Sequence, residues 1–147
     1  MTTNQINLVI LQGSDIVINQ LKEALRNFNI VGSFQNLEDA DIFLSTNTRI
    51  DVAIISTMLP TSSKEISNYS ITQFIEDSLK KRPDLKILVY SARSYTQVIL
   101  RHLLNLGIAG YLDKFDHLPV EEVAKAVDRI LNNNIYLSPS PQQELER

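Results

Sequence analysis

The side chains that could take part in chemistry are few in this sequence. The absence of cysteine excludes thiolate nucleophiles, thiolate metal sites and disulfide bonds. The two histidines, His102 and His117, form no metal-binding motif with acidic residues, and both are interpreted as surface residues. Ser91 and Lys114 remain, but a lone hydroxyl and a lone amine are weak support for a ligand site. Residue spacing alone therefore predicts no catalytic centre.

Length, charge and hydropathy limit the kind of protein that the chain can be. Its 147 residues are enough for one domain. A formal net charge of -3 and a pI near 5.3 argue against nonspecific binding of nucleic acid by this chain alone. No apolar run approaches the ~20 residues that span a bilayer, and the N-terminus lacks the cationic start of a secretion signal. We expect a cytoplasmic protein with no membrane contact.

Short apolar runs alternate with longer amphipathic segments along the chain. The runs are β-branched and read as buried strands, whereas apolar residues recur at helical spacing in the longer segments. The predicted strands cover residues 6–11, 29–34, 51–56, 86–91 and 108–112, and the predicted helices cover residues 17–28, 37–44, 71–81, 96–106 and 119–131. Gly107 is expected to end the fourth helix, and Pro119 to open the fifth.

This alternation predicts an α/β fold, because each connection between strands is long enough to hold a helix and the strands then pair in parallel. Ligands of such sheets gather at the carboxyl ends of the strands. The residues at those ends are Gln12 and Gly13, Ser56 to Met58, Ser91 and Ala92, and Lys114. Of these, Gln12, Gly13, Ser56, Ser91 and Lys114 are assigned to the candidate pocket. Residues 1–137 form the predicted domain, and residues 138–147 are interpreted as a polar tail or the start of a linker to an output domain absent from this chain.

Three segments at the strand ends resemble the receiver domains of response regulators. They are DVAIISTMLP at 51–60, ILVYSA at 87–92 and GIAGYLDK at 107–114, and the segment 130–139 is similar to the NarL/FixJ-type subfamily. The resemblance implies a flavodoxin-like (βα)5 sheet of five parallel strands in the order 2-1-3-4-5. It also implies that Tyr111 is a switch-like aromatic residue, interpreted here as half-buried. In that subfamily a LuxR-type helix-turn-helix usually follows, so any nucleic-acid binding would belong to an output domain outside this chain.

The sequence departs from the receiver pattern where phosphorylation takes place. Gln12 and Gly13 stand in the places of the acidic pair that holds Mg²⁺, and Ser56 stands in the place of the phosphoacceptor aspartate. Mg²⁺ normally needs at least one or two carboxylates, so we expect no metal, no cofactor and no acyl phosphate. Asp15 is considered as a displaced ligand, but a role as a helix N-cap or first-turn acid is favoured.

Two other departures concern the neighbourhood of this site. Phe115 replaces the proline that usually follows the lysine, and the serine-rich loop 61–70 makes the connection after Pro60 longer than usual. The loop is interpreted as an ordinary insertion, with docking or modification as the alternative. Lys114 and Ser91 could bind an anion or hold the site in one fixed signalling conformation. The favoured expectation is that they are inherited residues whose partners have gone, with the Lys114 amine reaching solvent or Gln12.

The resulting hypothesis is a degenerate receiver, or pseudo-receiver, of two-component signalling. It is expected not to be an enzyme and to act in transcription regulation through phosphorylation-independent contacts with proteins. The alternative is a sensor that binds a small anionic effector in the vacated pocket, through Lys114, Ser91 and backbone amides. A third hypothesis, residual phosphatase or phosphoacceptor activity at Asp15 or Asp113, is considered remote.

The fourth predicted helix carries more apolar residues than one core-facing stripe requires. Receivers commonly dimerise through the fourth helix, fifth strand and fifth helix, so this surplus indicates a homodimer or partner surface. The residues assigned to it are Val98, Leu100, Leu103 and Leu104. The competing interpretation is that scattered apolar residues on a surface carry no meaning.

Overall fold

The fold is a parallel sheet between two layers of helices, seen in a computed structural model that describes residues 5–60, 71–92 and 95–147. The strands are β1 (Asn7–Leu11), β2 (Asn29–Phe34), β3 (Val52–Ile55), β4 (Lys86–Ser91), β5 (Gly110–Asp113) and β6 (Tyr136–Leu137). The α-helices are α1 (Asp15–Ala24), α2 (Leu37–Leu44), α3 (Ile71–Lys81), α4 (Gln97–Leu106), α5 (Glu121–Leu131) and α6 (Pro139–Leu145), and Lys114–Asp116 form a short 3-10 helix. The strand order is β2-β1-β3-β4-β5-β6 with parallel pairing throughout.

This arrangement confirms the predicted fold class and the order of the first five strands. Side chains that alternate along the strands point to two separate cores. One core packs under α2, α3 and α4, and the other under α1 and α5. No helix within the described residues is long and apolar enough to cross a membrane.

Local sequence signals fix the helix ends. Ser14, Asn36 and Thr96 each accept a hydrogen bond from a backbone N–H of the first turn of α1, α2 and α4. Gly107 ends α4 with φ at 110°, in the left-handed region that glycine adopts without steric cost, as its position predicted. The start of α5 differs, because Pro119 and Val120 form a tight preceding turn and the helix begins at Glu121.

The last residues add a strand and a helix that the sequence pattern does not predict. β6 pairs with β5, and Gly110 makes this possible, because a Cβ built there would lie 2.4 Å from the carbonyl oxygen of Tyr136. α6 then packs against α4, where Gln97 and Arg101 donate hydrogen bonds to the carbonyl oxygen of Leu145 at 3.3 and 3.0 Å. The sheet therefore has one strand more than expected.

Candidate functional site

The strand ends that the sequence singled out meet at one edge of the sheet. Lys114, just after β5, donates from Nζ to Oε1 of Gln12, just after β1, over 3.1 Å. Gln12 donates from Nε2 to the carbonyl oxygen of Tyr90 in β4, also over 3.1 Å. Gly13 lies near the end of the β3 loop, since a Cβ there would be 3.5 Å from Cδ of Pro60. The four segments that were predicted to converge therefore do so.

Lys114 is held by neutral groups. Its amine contacts the Gln12 amide and lies 5.0 Å from the centroid of the Tyr90 ring, a cation–π arrangement. Gln12 is only 1% exposed, and both the nitrogen and the oxygen of its side-chain amide are hydrogen-bonded. Burial lowers the pKa of Lys114 below its ordinary value, because the charged form loses hydration. The two expectations for the Lys114 amine were solvent and Gln12, and in the structure the amine donates to Gln12.

A cluster of hydroxyl groups closes the ends of β3 and β4. Ser91, which is fully buried, lies with its Oγ 2.7 Å from Oγ1 of Thr57 and 3.4 Å from Oγ of Ser56. The backbone N–H of Thr57 donates to the same Ser91 oxygen over 3.2 Å, and Met58 N–H donates to Ser56 Oγ over 3.0 Å. Ser91 and Ser56 are thus hydrogen-bonded within the protein.

The carboxylates nearest in sequence to this site are engaged elsewhere. Ser14 is the N-cap of α1, and Asp15 is an acidic residue of its first turn. Oδ1 of Asp15 accepts a hydrogen bond from Nε2 of Gln35 over 2.8 Å. Asp113 accepts from the hydroxyl of Tyr95 over 2.9 Å and from the N–H of Phe115 over 2.8 Å. Within the described residues, no three His, Asp or Glu side chains group together as a metal site.

The side chains at this edge do not fit Mg²⁺. The groups that would face the ion are one amide, one ammonium and three hydroxyls, and the amide oxygen already accepts from the ammonium. A divalent cation would meet a positive charge instead of the one or two carboxylates that it normally requires.

Tyr111 is more deeply placed than expected. It was interpreted as half-buried, whereas the structure buries it fully in the core beneath α4. Its ring meets that of Tyr95 edge-to-face, with centroids 4.9 Å apart. The hydroxyl of Tyr95 then reaches Asp113, whose own N–H donates to Ser138 Oγ over 2.9 Å. The end of β5 is therefore tied both to the residues before α4 and to those before α6.

The predicted association surface needs correction. Leu100 and Leu103 are 0% and 1% exposed and belong to the core, so neither is available to a partner. Leu104 is partly buried against the same core. Val98, which is 76% exposed, does lie at the surface. The surplus of apolar residues in the helix is largely explained by packing, since α4 is covered by the sheet on one side and contacts α3 and α6.

Some participating residues were not foreseen from the sequence. Tyr90 and Tyr95 contact the predicted site residues through a carbonyl oxygen and a ring. Thr57, whose hydroxyl contacts Ser91, belongs to the segment 56–58 that the sequence placed at a strand end. Tyr90 precedes the strand-end residue Ser91, which is the one signal that could have pointed to it. His102 and His117 are exposed, as predicted. The serine-rich loop 61–70 lies outside the described residues.

The sequence matches no protein-family model and no curated protein. Solved structures that it resembles are response-regulator receiver domains. The receiver domain of RcsB from Salmonella enterica serovar Typhimurium, determined with phosphomimetic BeF3-, is 21% identical, with a TM-score of 0.80 over 97% of this chain and 99% of that one. A LuxR-family two-component response regulator from Aurantimonas sp. SI85-9A1 is 15% identical, with a TM-score of 0.79 over 95% and 94%.

A Salmonella typhimurium RcsB structure described for its conformational dynamism in DNA interaction is 22% identical, with a TM-score of 0.79, and this chain covers 68% of it. Identities of this size show a shared fold. The receiver fold is thus common to this chain and these neighbours.

Proposed function

We propose that this chain is an atypical receiver domain of two-component signalling that acts without phosphorylation, through contacts with proteins. In this proposal it regulates transcription from the cytoplasm and is not an enzyme. Nucleic acid is contacted only through an output domain outside these residues, in line with the DNA interaction described for its RcsB neighbour.

The observation that carries the proposal is the bond between Lys114 and Gln12. Phosphoryl transfer is mostly positioning and charge neutralisation, and it needs a carboxylate to attack phosphorus together with cations that neutralise the phosphoryl oxygens. Here the amine donates to a neutral amide, and the Ser91 hydroxyl is bonded to Thr57. Ser56 offers a hydroxyl where attack would begin, and its oxygen accepts from the N–H of Met58. The groups at the strand ends bond to each other.

Incubation with Mg²⁺ and acetyl phosphate or beryllofluoride tests this proposal. We expect no phosphate-sized increase in intact mass and no change in the melting temperature, since a ligand that binds the folded state would raise it. The RcsB receiver domain, whose structure was determined with BeF3-, is the positive control. A phosphate-sized mass increase, or a saturable stabilisation by beryllofluoride, would overturn the proposal.

One observation favours a second candidate function, a sensor of a small anionic effector. Lys114 forms no ion pair within the described part of the chain, so its charge has no carboxylate partner there. A thermal-shift screen against anionic metabolites separates the two functions. Specific stabilisation that disappears in Lys114→Ala would favour the sensor, and uniform lack of response would favour protein contacts.

A further inference from the structure

Three large apolar side chains are exposed around the candidate site. Ile16 in the first turn of α1 is 71% exposed, Met58 after β3 is 66% exposed, and Phe115 in the 3-10 helix after β5 is 62% exposed. We call these three residues the apolar rim. Each comes shortly after a residue of the site, so each belongs to the same carboxyl edge of the sheet. Exposed apolar residues that gather at one edge indicate an interaction surface.

Contacts between the strand ends hold the rim together. The Lys114–Gln12 bond joins the segment that carries Phe115 to the segment that leads into Ile16. The closeness of Gly13 and Pro60 joins that second segment to the loop that carries Met58. The rim is therefore built on the fixed ends of β1, β3 and β5, the same edge of the sheet at which the half-buried amine of Lys114 lies.

The charge that Lys114 brings to this edge is positive. Lys114 has only neutral partners within the described residues, while the carboxylates of the adjoining segments are turned to other groups. Asp15 accepts from Gln35 on the side that faces α2, and Asp116 accepts from the N–H of Ser140 over 3.0 Å on the side that faces α6. A ligand that fits this edge brings a negative charge to the centre and apolar surface to the margin.

We propose that the apolar rim and Lys114 together bind a segment of a partner protein in which an acidic side chain lies between apolar ones. The partner carboxylate pairs with the Lys114 amine, and the flanking apolar side chains cover Ile16, Met58 and Phe115. A small free anion would leave those three side chains in water, so the edge suits a peptide segment better. This inference rests on the proposed function, because it requires the amine to be free of phosphate.

Binding to defined peptides tests the inference. An array of immobilised peptides with an apolar–Glu–apolar core is compared with a matched array in which Gln replaces Glu, and hits are measured again in solution by fluorescence polarisation. We expect a subset of Glu peptides to bind and their Gln counterparts to bind about tenfold more weakly, because the pair at Lys114 is partly desolvated. Lys114→Gln should cause the same loss, and Lys114→Arg should retain most of the binding.

The apolar contribution has its own control. Phe115→Ser should weaken binding, whereas Ile42→Ser should leave it unchanged, because Ile42 is 68% exposed on α2, away from this edge. Circular dichroism checks that each variant is folded. The inference is overturned if no Glu peptide binds, if Glu and Gln peptides bind equally, or if both serine variants weaken binding alike. Phosphate uptake in the earlier test would overturn the proposed function and leave these peptide results readable.

Discussion

The Lys114 ammonium contacts an amide oxygen and an aromatic ring and is half-buried. Because burial shifts the pKa of this group, the stability of the protein depends on pH in a defined direction. Burial lowers the lysine pKa below its ordinary 10.5, to which it returns on unfolding. Between the two pKa values the unfolded chain binds more protons, so the contribution of this group to the unfolding free energy rises with pH. Below the folded pKa both states are protonated, and the cost of burying the charge is fully present.

We therefore expect the unfolding free energy of the wild type, minus that of Lys114→Met, to increase from about pH 7 to about pH 10. Urea denaturation at stepped pH gives both values. The measurement stops at about pH 10 because burial also raises the pKa of neighbouring Tyr90, whose titration acts in the opposite sense above its usual range. A flat or falling difference would contradict the assignment.

The Ser91 hydroxyl is the centre of the buried hydroxyl cluster, so its removal should be costly. Ser91→Ala would leave the Thr57 N–H and hydroxyl, both now bonded to Ser91 Oγ, without that partner. We expect a loss of about 1–3 kcal/mol in unfolding free energy, because the fully buried Ser91 oxygen takes part in several hydrogen bonds that are each worth about 0.5–1.5 kcal/mol. Ser45→Ala is the control, since this exposed hydroxyl donates only to the Asp41 carbonyl oxygen and should change stability by less than about 0.5 kcal/mol. Equal losses in urea denaturation would refute the prediction.

At the residue scale, sequence reasoning predicted which strand ends come together but not all of the contacts that they make. Gln12, Ser56 and Lys114 were placed correctly because parallel strands bring their carboxyl ends to one edge. Their partners depend on side-chain reach and rotamer, which spacing does not encode. The Tyr90 carbonyl oxygen accepts from Gln12 only because β1 and β4 both flank β3 and end at the same level. The proposed binding of a partner segment likewise depends on which apolar side chains are exposed, and the sequence pattern does not show that Ile16, Met58 and Phe115 are.

Among the elements, α2 has an unusual termination that depends on an arginine from another helix end. Arg82, just after α3, donates from its three guanidinium nitrogens to the carbonyl oxygens of Leu44, Thr46 and Thr48 at 3.0, 2.8 and 2.9 Å. The last carbonyls of a helix lack partners within it, and the planar guanidinium supplies donors in a fixed fork. Arg82 thereby joins the end of α2 to the end of α3.

Arg82→Lys should therefore destabilise the protein although it retains the charge. One ammonium cannot satisfy three carbonyls in this geometry, and we expect a loss of about 1–3 kcal/mol in urea denaturation, with faster hydrogen exchange at the end of α2. Lys81→Gln is the matched control, because Lys81 makes an exposed ion pair with Asp41 at 3.6 Å that is worth less than about 1 kcal/mol. If Arg82→Lys is as stable as the wild type, the hydrogen bonds of Arg82 do not stabilise the end of α2.

Elements with strong local signals were predicted well, and those without them were missed. β2, α2, α3 and β4 have the predicted bounds, since capping residues, proline and apolar periodicity agree on where they begin and end. β6 has two residues and α6 has seven, with two prolines among them, so neither shows a period that could be recognised. Their formation depends on pairing with β5 and packing on α4, which are tertiary contacts.

For the molecule as a whole, apolar packing on the two faces of the sheet dominates over surface charge. In each ion pair between described residues, the basic side chain is more than half exposed. Such pairs are screened by salt and contribute little. Raising NaCl from about 0.05 M to about 0.5 M should therefore change the unfolding free energy by less than about 1 kcal/mol. Parallel titrations with KCl show whether any effect is specific to sodium, and a larger fall in stability would argue that charge pairing matters more than packing.

The narrow seam between β5 and β6 has room for a hydrogen atom and nothing larger at Gly110. A methyl group there would clash with the Tyr136 carbonyl oxygen and separate β6 from β5. Detachment would also release Ser138 from Asp113 and the terminal helix from α4, since all three attachments lie along one stretch of backbone. The absence of a side chain at one position, Gly110, is thus a condition for the close backbone contact that aligns the C-terminal residues.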